Sequence, residues 1–217
     1  MLTNIFFDLD GTLTDSKEGI LKCFHYALDK LDCPNPLEFE NDNLIGPPLR
    51  VTFRKLLDSN DEVLIEKAVA IYRERFSTAG LFENKVYPGI PELLSALHRN
   101  SFHLYVVTSK MKLYANRIIE HFRLAQWFSE VFGSELAGRF DDKAELIKFI
   151  LSDLNLASSE TVMIGDKRED IAAGRENRIK TIGVTYGYGT KKEMIDAAPD
   201  YICNSPSEIQ TTIMSIR

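Results

Sequence analysis

The stretch Ile5-Phe6-Phe7-Asp8-Leu9-Asp10-Gly11-Thr12-Leu13-Thr14-Asp15 decides how the rest of the chain reads. An apolar run with the texture of a buried strand stops at two carboxylates, then a glycine and a hydroxyl. Ionised carboxylates are costly to desolvate unless a cation or a hydrogen-bond network compensates them. Two explanations follow. Asp10 and Asp15 are ordinary turn and helix-cap residues, or the strand end is a metal-assisted nucleophile site. The remaining sequence has to separate the two.

The chain has 217 residues, of which 44% are hydrophobic and 27% charged, enough to bury a full core without disulfides. Its formal charge of -6 argues against a nucleic-acid surface, which would need basic patches. No run reaches the roughly 20 apolar residues of a membrane helix. Met1-Leu2-Thr3-Asn4 carries no basic n-region, and Cys23, Cys33 and Cys203 are scattered without a CxxC pair. Reduced thiols in a cytoplasmic protein are the expectation.

Beyond the opening strand, Asp15 and Ser16 with Glu18 announce a helix, and Ile20, Leu21, Phe24, Ala27, Leu28 and Leu31 continue it at helical spacing. Cys33-Pro34-Asn35-Pro36 should end it. Further helices are expected over 49–58 and 61–79, so 16–82 reads as one helical insertion. After Tyr87-Pro88-Gly89 strands and helices alternate. Strands are expected at 104–107, 131–133, 161–164, 181–184 and 201–203, with helices at 91–99, 113–122, 143–154, 170–175 and 206–216. Such alternation implies right-handed βαβ units. The expected fold is α/β: a Rossmann-like, doubly wound, mostly parallel sheet formed by 1–15 and 83–217, with an inserted helical cap domain at 16–82.

Ligands bind outside the carboxyl ends of the strands in such sheets. There the sequence places Asp8 and Asp10, then Thr108 and Ser109, then Gly165 and Asp166, and Lys143 opens a helix on the same side. Oxygen donors without His or Cys favour magnesium over zinc. A carboxylate beside such an ion can attack phosphorus. A lysine would neutralise nucleophile and phosphate alike.

Asp8-Leu9-Asp10-Gly11-Thr12-Leu13 resembles the DxDGT(L/V) motif of the haloacid dehalogenase superfamily. Thr108-Ser109 resembles the second motif, Lys143 the third-motif lysine, and Gly165-Asp166-Lys167-Arg168-Glu169-Asp170 the GDxxxD fourth motif. All four occur in order, with a C1-type cap insertion between the first two, so the likeness covers nearly the whole chain. The resemblance implies Asp8 as nucleophile and Mg²⁺ ligand. It implies Asp10 as general acid and then base, with its backbone carbonyl on the metal. Asp166 would complete the ligands, and Asp170 would orient Asp166 or a metal-bound water. Thr108, Ser109, Lys143 and the backbone N–H groups after Asp8, including Gly11, would hold the phosphoryl group.

What this implies is a Mg²⁺-dependent phosphomonoester hydrolase, phosphoglycolate-phosphatase-like, acting on a small phosphorylated metabolite through an aspartyl phosphate. Nucleoside monophosphates, pyrophosphate and a β-phosphoglucomutase-like phosphotransfer stand as alternatives, as does an idle binding protein on the same scaffold. No nucleic-acid or membrane partner is expected, and the chain should be a monomer or homodimer. Arg50, in Ile45-Gly46-Pro47-Pro48-Leu49-Arg50, resembles a substrate-facing cap residue; an exposed arginine at a rigid helix start is the other reading. Tyr186-Gly187-Tyr188-Gly189 either lines the entrance or forms a turn. Arg139 is the fallback for Lys143, Lys110 reads as a surface residue, and His25, His98, His103 and His121 form no cluster.

Overall fold

The computed structural model describes residues 1–33, 44–135 and 139–216. Contacts divide the chain into a core unit, Met1–Asp15 with Val86–Arg217, and a helical unit, Ser16–Lys85. The second boundary falls after Lys85 rather than after residue 82. The reason is Glu83, whose carboxylate is held by Arg75 at 2.7 Å and Lys22 at 3.1 Å. Its carbonyl also accepts the Gly19 N–H. Glu83 therefore belongs to the helices.

In the core unit, strand β1 (Asn4–Phe7) is buried throughout and lies between β4 (His103–Met111) and β6 (Thr161–Gly165). The sheet extends through β5 (Glu130–Ser134) on one side and through β7 (Lys180–Val184) and β8 (Tyr201–Cys203) on the other. Its order is β5-β4-β1-β6-β7-β8, and every pairing is parallel. The chain moves outward one way from β1 through β4 to β5 and the other way from β6 to β8. The reversal lies at the β1–β6 pair, where such sheets open a crevice for ligands. Short strands β2 (Thr14–Asp15) and β3 (Lys85–Val86) carry the chain out of the core and back.

Parallel strands need crossover helices. Helix α4 (Ile90–Arg99) starts with proline in its first turn and precedes β4. α5 (Lys112–His121), α6 (Lys143–Asp153) and α7 (Arg168–Glu176) connect the following strands. Phe6, Tyr105, Val107, Phe132 and Met163 from the sheet pack with Ala144, Leu146, Ile147 and Ile150 of α6 and Ala173 of α7. Strand alternation turns Ile5 and Phe7 to the other face. A helix α8 (Lys191–Ala197) occupies a segment to which the sequence reading assigned no element. It is short and polar, but Thr190 and Glu193 form a capping box at its start, a signal present in the sequence. Helix α9 (Pro206–Ile216) closes the chain.

The helical unit contains α1 (Lys17–Lys30), α2 (Leu49–Leu56) and α3 (Glu62–Arg75), the last running into a π turn at Phe76–Gly80. Ser16 precedes α1 without a side-chain capping bond, although its position matches the expected start. The terminator expected at Pro34-Asn35-Pro36 lies outside the described residues. α1 stops at Lys30, before that segment. Phe24, Phe53, Tyr72 and Phe76 form the aromatic centre of this unit, with ring centroids 4.8–6.2 Å apart.

Candidate active site

The site grows from the β1–β6 pair. Phe7 is in register with Ile164, and the Asp8 N–H donates to the Ile164 carbonyl at 2.9 Å. Asp8 therefore sits beside the end of β6, where Gly165 hands over to Asp166. Carboxylate oxygens of Asp8, Asp166 and Asp170 all lie within 4.8 Å of one another, and all three residues are buried. Buried carboxylates set this close repel one another unless positive charge enters among them.

Lys143 supplies part of that charge. Asp142 caps α6 by accepting the Ala144 N–H at 2.7 Å, which makes Lys143 the first helical residue. Its ammonium lies 3.1 Å from Asp8 Oδ1 and ion-pairs with Asp170 Oδ1. Burial alone would push the Lys143 pKa down, but Asp170 and Asp8 outweigh it and hold the pKa above the ordinary lysine value. Asp170 Oδ2 also accepts the Lys167 N–H at 3.0 Å, closing the first turn of α7. Burial raises the Asp170 pKa, opposed by Lys143 and assisted by Asp8.

Asp166 is held by main-chain donors. Its Oδ2 accepts the Tyr188 N–H at 2.7 Å and the Gly189 N–H at 3.4 Å, while Oδ1 accepts the Thr12 hydroxyl at 3.4 Å. Burial and then the charges of Asp170 and Asp8 push its carboxyl up to about 7. Gly11 makes this packing possible. Its φ is +83°, and a Cβ there would lie 2.2 Å from Asp166 Oδ2.

A hard divalent cation fits this donor set. Every candidate ligand in the triad is an oxygen, and the Lys143 ammonium, which pairs with Asp8 and Asp170, sets one positive charge against three carboxylates. The charge of such an ion would offset the burial of Asp166 and the repulsion from Asp170 and Asp8 that together raise its carboxyl.

Asp10 is not in the carboxylate triad. Its Oδ2 pairs with Lys110 Nζ at 2.8 Å, and the Lys110 side chain is only 8% exposed. The expectation of a surface lysine is corrected. β4 does not stop at Val107, as expected, but runs on to Met111, with a shift of register after Val107. Thr108 is buried, and its hydroxyl accepts the Lys110 N–H at 3.2 Å. Ser109 has an exposed side chain, and its carbonyl accepts the Ser134 hydroxyl at 3.1 Å.

Other expectations resolve as follows. Arg139 stays outside the cluster, lying over the rings of Phe140 and Phe149 and 3.7 Å from Glu135. Arg50, in the helical unit, makes a two-point ion pair with Glu66, one of its contacts measuring 3.0 Å. The Tyr186–Gly189 segment braces the site: the Tyr186 hydroxyl donates to Thr12 O at 2.9 Å, and the Tyr188 hydroxyl to Asp15 Oδ1 at 2.9 Å. The sequence reading missed Lys110, Thr12 and the Tyr188 amide. Lys110, directly after the Thr108-Ser109 motif, and Thr12, inside the opening motif, carried positional hints; the amide carried none.

Residues 5–184 match the family model of haloacid dehalogenase-like hydrolases. The chain belongs to this family. Over 212 residues it is 40% identical to a 5'-nucleotidase of Pseudomonas aeruginosa, spanning 98% of this chain and 96% of that protein. A phosphoglycolate phosphatase of Vibrio parahaemolyticus is 26% identical over 94% of this chain and 93% of its own length. A crystal structure described as a predicted phosphatase from Clostridium acetobutylicum superposes with a TM-score of 0.91 at 40% identity, covering 99% and 100% of the two chains. This haloacid dehalogenase-like hydrolase is a phosphatase by class, and its six-stranded parallel sheet is the α/β fold of the family.

Proposed function

We propose that this protein is a Mg²⁺-dependent phosphomonoester hydrolase that works through an aspartyl phosphate on Asp8, with nucleoside 5'-monophosphates as its first substrate class. The observation that carries the chemistry is the buried Asp8 carboxylate, 3.1 Å from Lys143 and within 4.8 Å of Asp166 and Asp170. The substrate class rests on the full-length likeness to a 5'-nucleotidase, stronger than that to the phosphoglycolate phosphatase.

Asp8, Asp166 and the Asp10 carbonyl would hold the ion, with Asp170 orienting Asp166 or a metal-bound water. When bound, the ion supplies positive charge that offsets repulsion between Asp8 and the phosphoryl oxygens. An Asp8 oxygen attacks phosphorus, and the P–O bond to the alcohol breaks. Asp10 protonates the departing oxygen. Water then attacks phosphorus as Asp10 takes its proton, the bond to Asp8 breaks, and inorganic phosphate leaves. Lys143 stays charged throughout and balances Asp8 before attack and the phosphoryl group after it. Thr108 and Ser109 would donate to phosphoryl oxygens; the Gly11 N–H, expected to do the same, is instead given to the Thr14 carbonyl at 2.8 Å, which closes the turn after Asp10.

The test is phosphate release from a panel of esters with Mg²⁺, comparing nucleoside 5'-monophosphates with phosphoglycolate, pyrophosphate and hexose phosphates. Nucleotide hydrolysis with the highest kcat/KM supports the reading. Hexose phosphate isomerisation without phosphate release points to phosphotransfer instead. Asp8→Asn should abolish turnover while leaving the far-UV circular dichroism unchanged; retained Mg²⁺-dependent activity would remove Asp8 as the nucleophile.

A further inference from the structure

The geometry points to Lys110 as a positioning residue that pins the Asp10 carboxylate for proton transfer to the leaving group. This inference rests on the reading of Asp10 as the general acid. Lys110 Nζ lies 2.8 Å from Asp10 Oδ2, and its side chain is 8% exposed against 18% for Asp10. The other oxygen, Oδ1, is buried and accepts no hydrogen bond among the described residues. One oxygen is thus anchored and the other left for the reacting atoms. Lys143, the other cation of the site, is committed to Asp8 and Asp170. The two lysines divide the work: one serves the nucleophile, the other the proton donor.

The backbone around Lys110 is built to hold it there. Its N–H is tied to the Thr108 hydroxyl at 3.2 Å, and the preceding carbonyl, that of Ser109, accepts the Ser134 hydroxyl at 3.1 Å. The Lys110 carbonyl approaches β5 so closely that a Cβ on Gly133 would come within 2.3 Å of it. The shift of register after Val107 accommodates this bend. An exposed surface lysine would need none of these restraints. A lysine at the end of a long stem carries considerable rotamer freedom, so fixing its root narrows the positions open to its ammonium and hence to Asp10.

A positioning role makes a prediction that a structural or phosphate-binding role does not. An alkoxide leaving group needs its proton in the transition state, whereas 4-nitrophenolate leaves without one. In Lys110→Met, which keeps the stem and removes the charge, kcat/KM for an alkyl phosphate such as a nucleoside 5'-monophosphate should fall roughly tenfold or more beyond the fall for 4-nitrophenyl phosphate. In an Asp10→Asn background the same substitution should add no further selective loss, because residues acting as one unit are non-additive. Equal losses on both esters, no loss on either, or an additive selective loss in Asp10→Asn would overturn the assignment. Should Lys110→Met fail to fold, judged by circular dichroism, Lys110→Gln replaces it with the same expected split. The functional reading fails separately: active Asp8→Asn sinks the aspartyl phosphate whatever Lys110 does.

Discussion

Lys143 shows how a single side chain can carry both stability and chemistry. It is buried, yet it stays charged because Asp8 and Asp170 lie against it. Replacing it by methionine leaves those carboxylates uncompensated. Breaking a buried pair in this way typically costs about 3–5 kcal/mol, so urea denaturation of metal-free Lys143→Met should show a loss of that order, with turnover abolished. Gly11 is the second test at this scale. Because of its positive φ and the approach of Asp166, Gly11→Ala must displace either the turn or the carboxylate. The expected result is a higher Mg²⁺ requirement, read from the Mg²⁺ dependence of phosphate release, with a smaller change in far-UV circular dichroism. Asp8, Asp10, Asp166 and Lys143 were legible as candidates because each occupies a strand end or helix start in a spacing that sequence alone displays. Lys110 was legible only by its place after Thr108-Ser109, because its ion pair with Asp10 depends on a local bend that no residue pattern announces.

Elements position these side chains more than their own propensities do. Helix α7 begins where Asp170 accepts the Lys167 N–H and meets Lys143, so one carboxylate serves both as helix cap and as a member of the carboxylate cluster. Asp170→Asn keeps the size and loses the charge. Substituting groups that orient ligands typically costs 10–100-fold in metal affinity, so the Mg²⁺ concentration for half-maximal activity should rise by about that factor, measured by titration. The loop between β7 and α8 acts differently. The Tyr188 main-chain N–H binds Asp166 while its hydroxyl binds Asp15. Tyr188→Phe removes the hydroxyl's bonds, to Asp15 and to Tyr87, and leaves the main-chain bond to Asp166, so Mg²⁺ affinity should stay within experimental error of wild type while stability falls by about 1 kcal/mol. A shift in Mg²⁺ affinity would show that the hydroxyl, not the amide, governs Asp166. A main-chain donor has no sequence signature, which is why Tyr186–Gly189 read equally well as entrance or turn.

At the scale of the whole molecule the carboxylate cluster links proton binding to the stability of the fold. Burial, with Asp170 and Asp8, raises the Asp166 carboxyl from 3.8 to about 7. A carboxyl with a raised folded pKa holds its proton more tightly folded than unfolded. Its contribution to stability is therefore full below pH 3.8 and is lost as the pH rises through about 7. Metal-free protein should lose thermal stability across this window. Saturating Mg²⁺ competes with the proton, so the rise in Tm it produces should be larger at pH 8 than at pH 6; an equal rise at both values would separate Asp166 from the metal. By itself the sequence determined the α/β class, the helical insertion and the carboxylates and lysine at the strand ends, because hydrophobic periodicity and motif spacing are local properties. Only the tertiary structure decided which carboxylates meet. The parallel register of β1 against β6 sets Asp8 beside Asp166 and Asp170, while the bend at the end of β4 gives Asp10 to Lys110. Those pairings join residues far apart in the chain, and only packing fixes the distances on which their charges act.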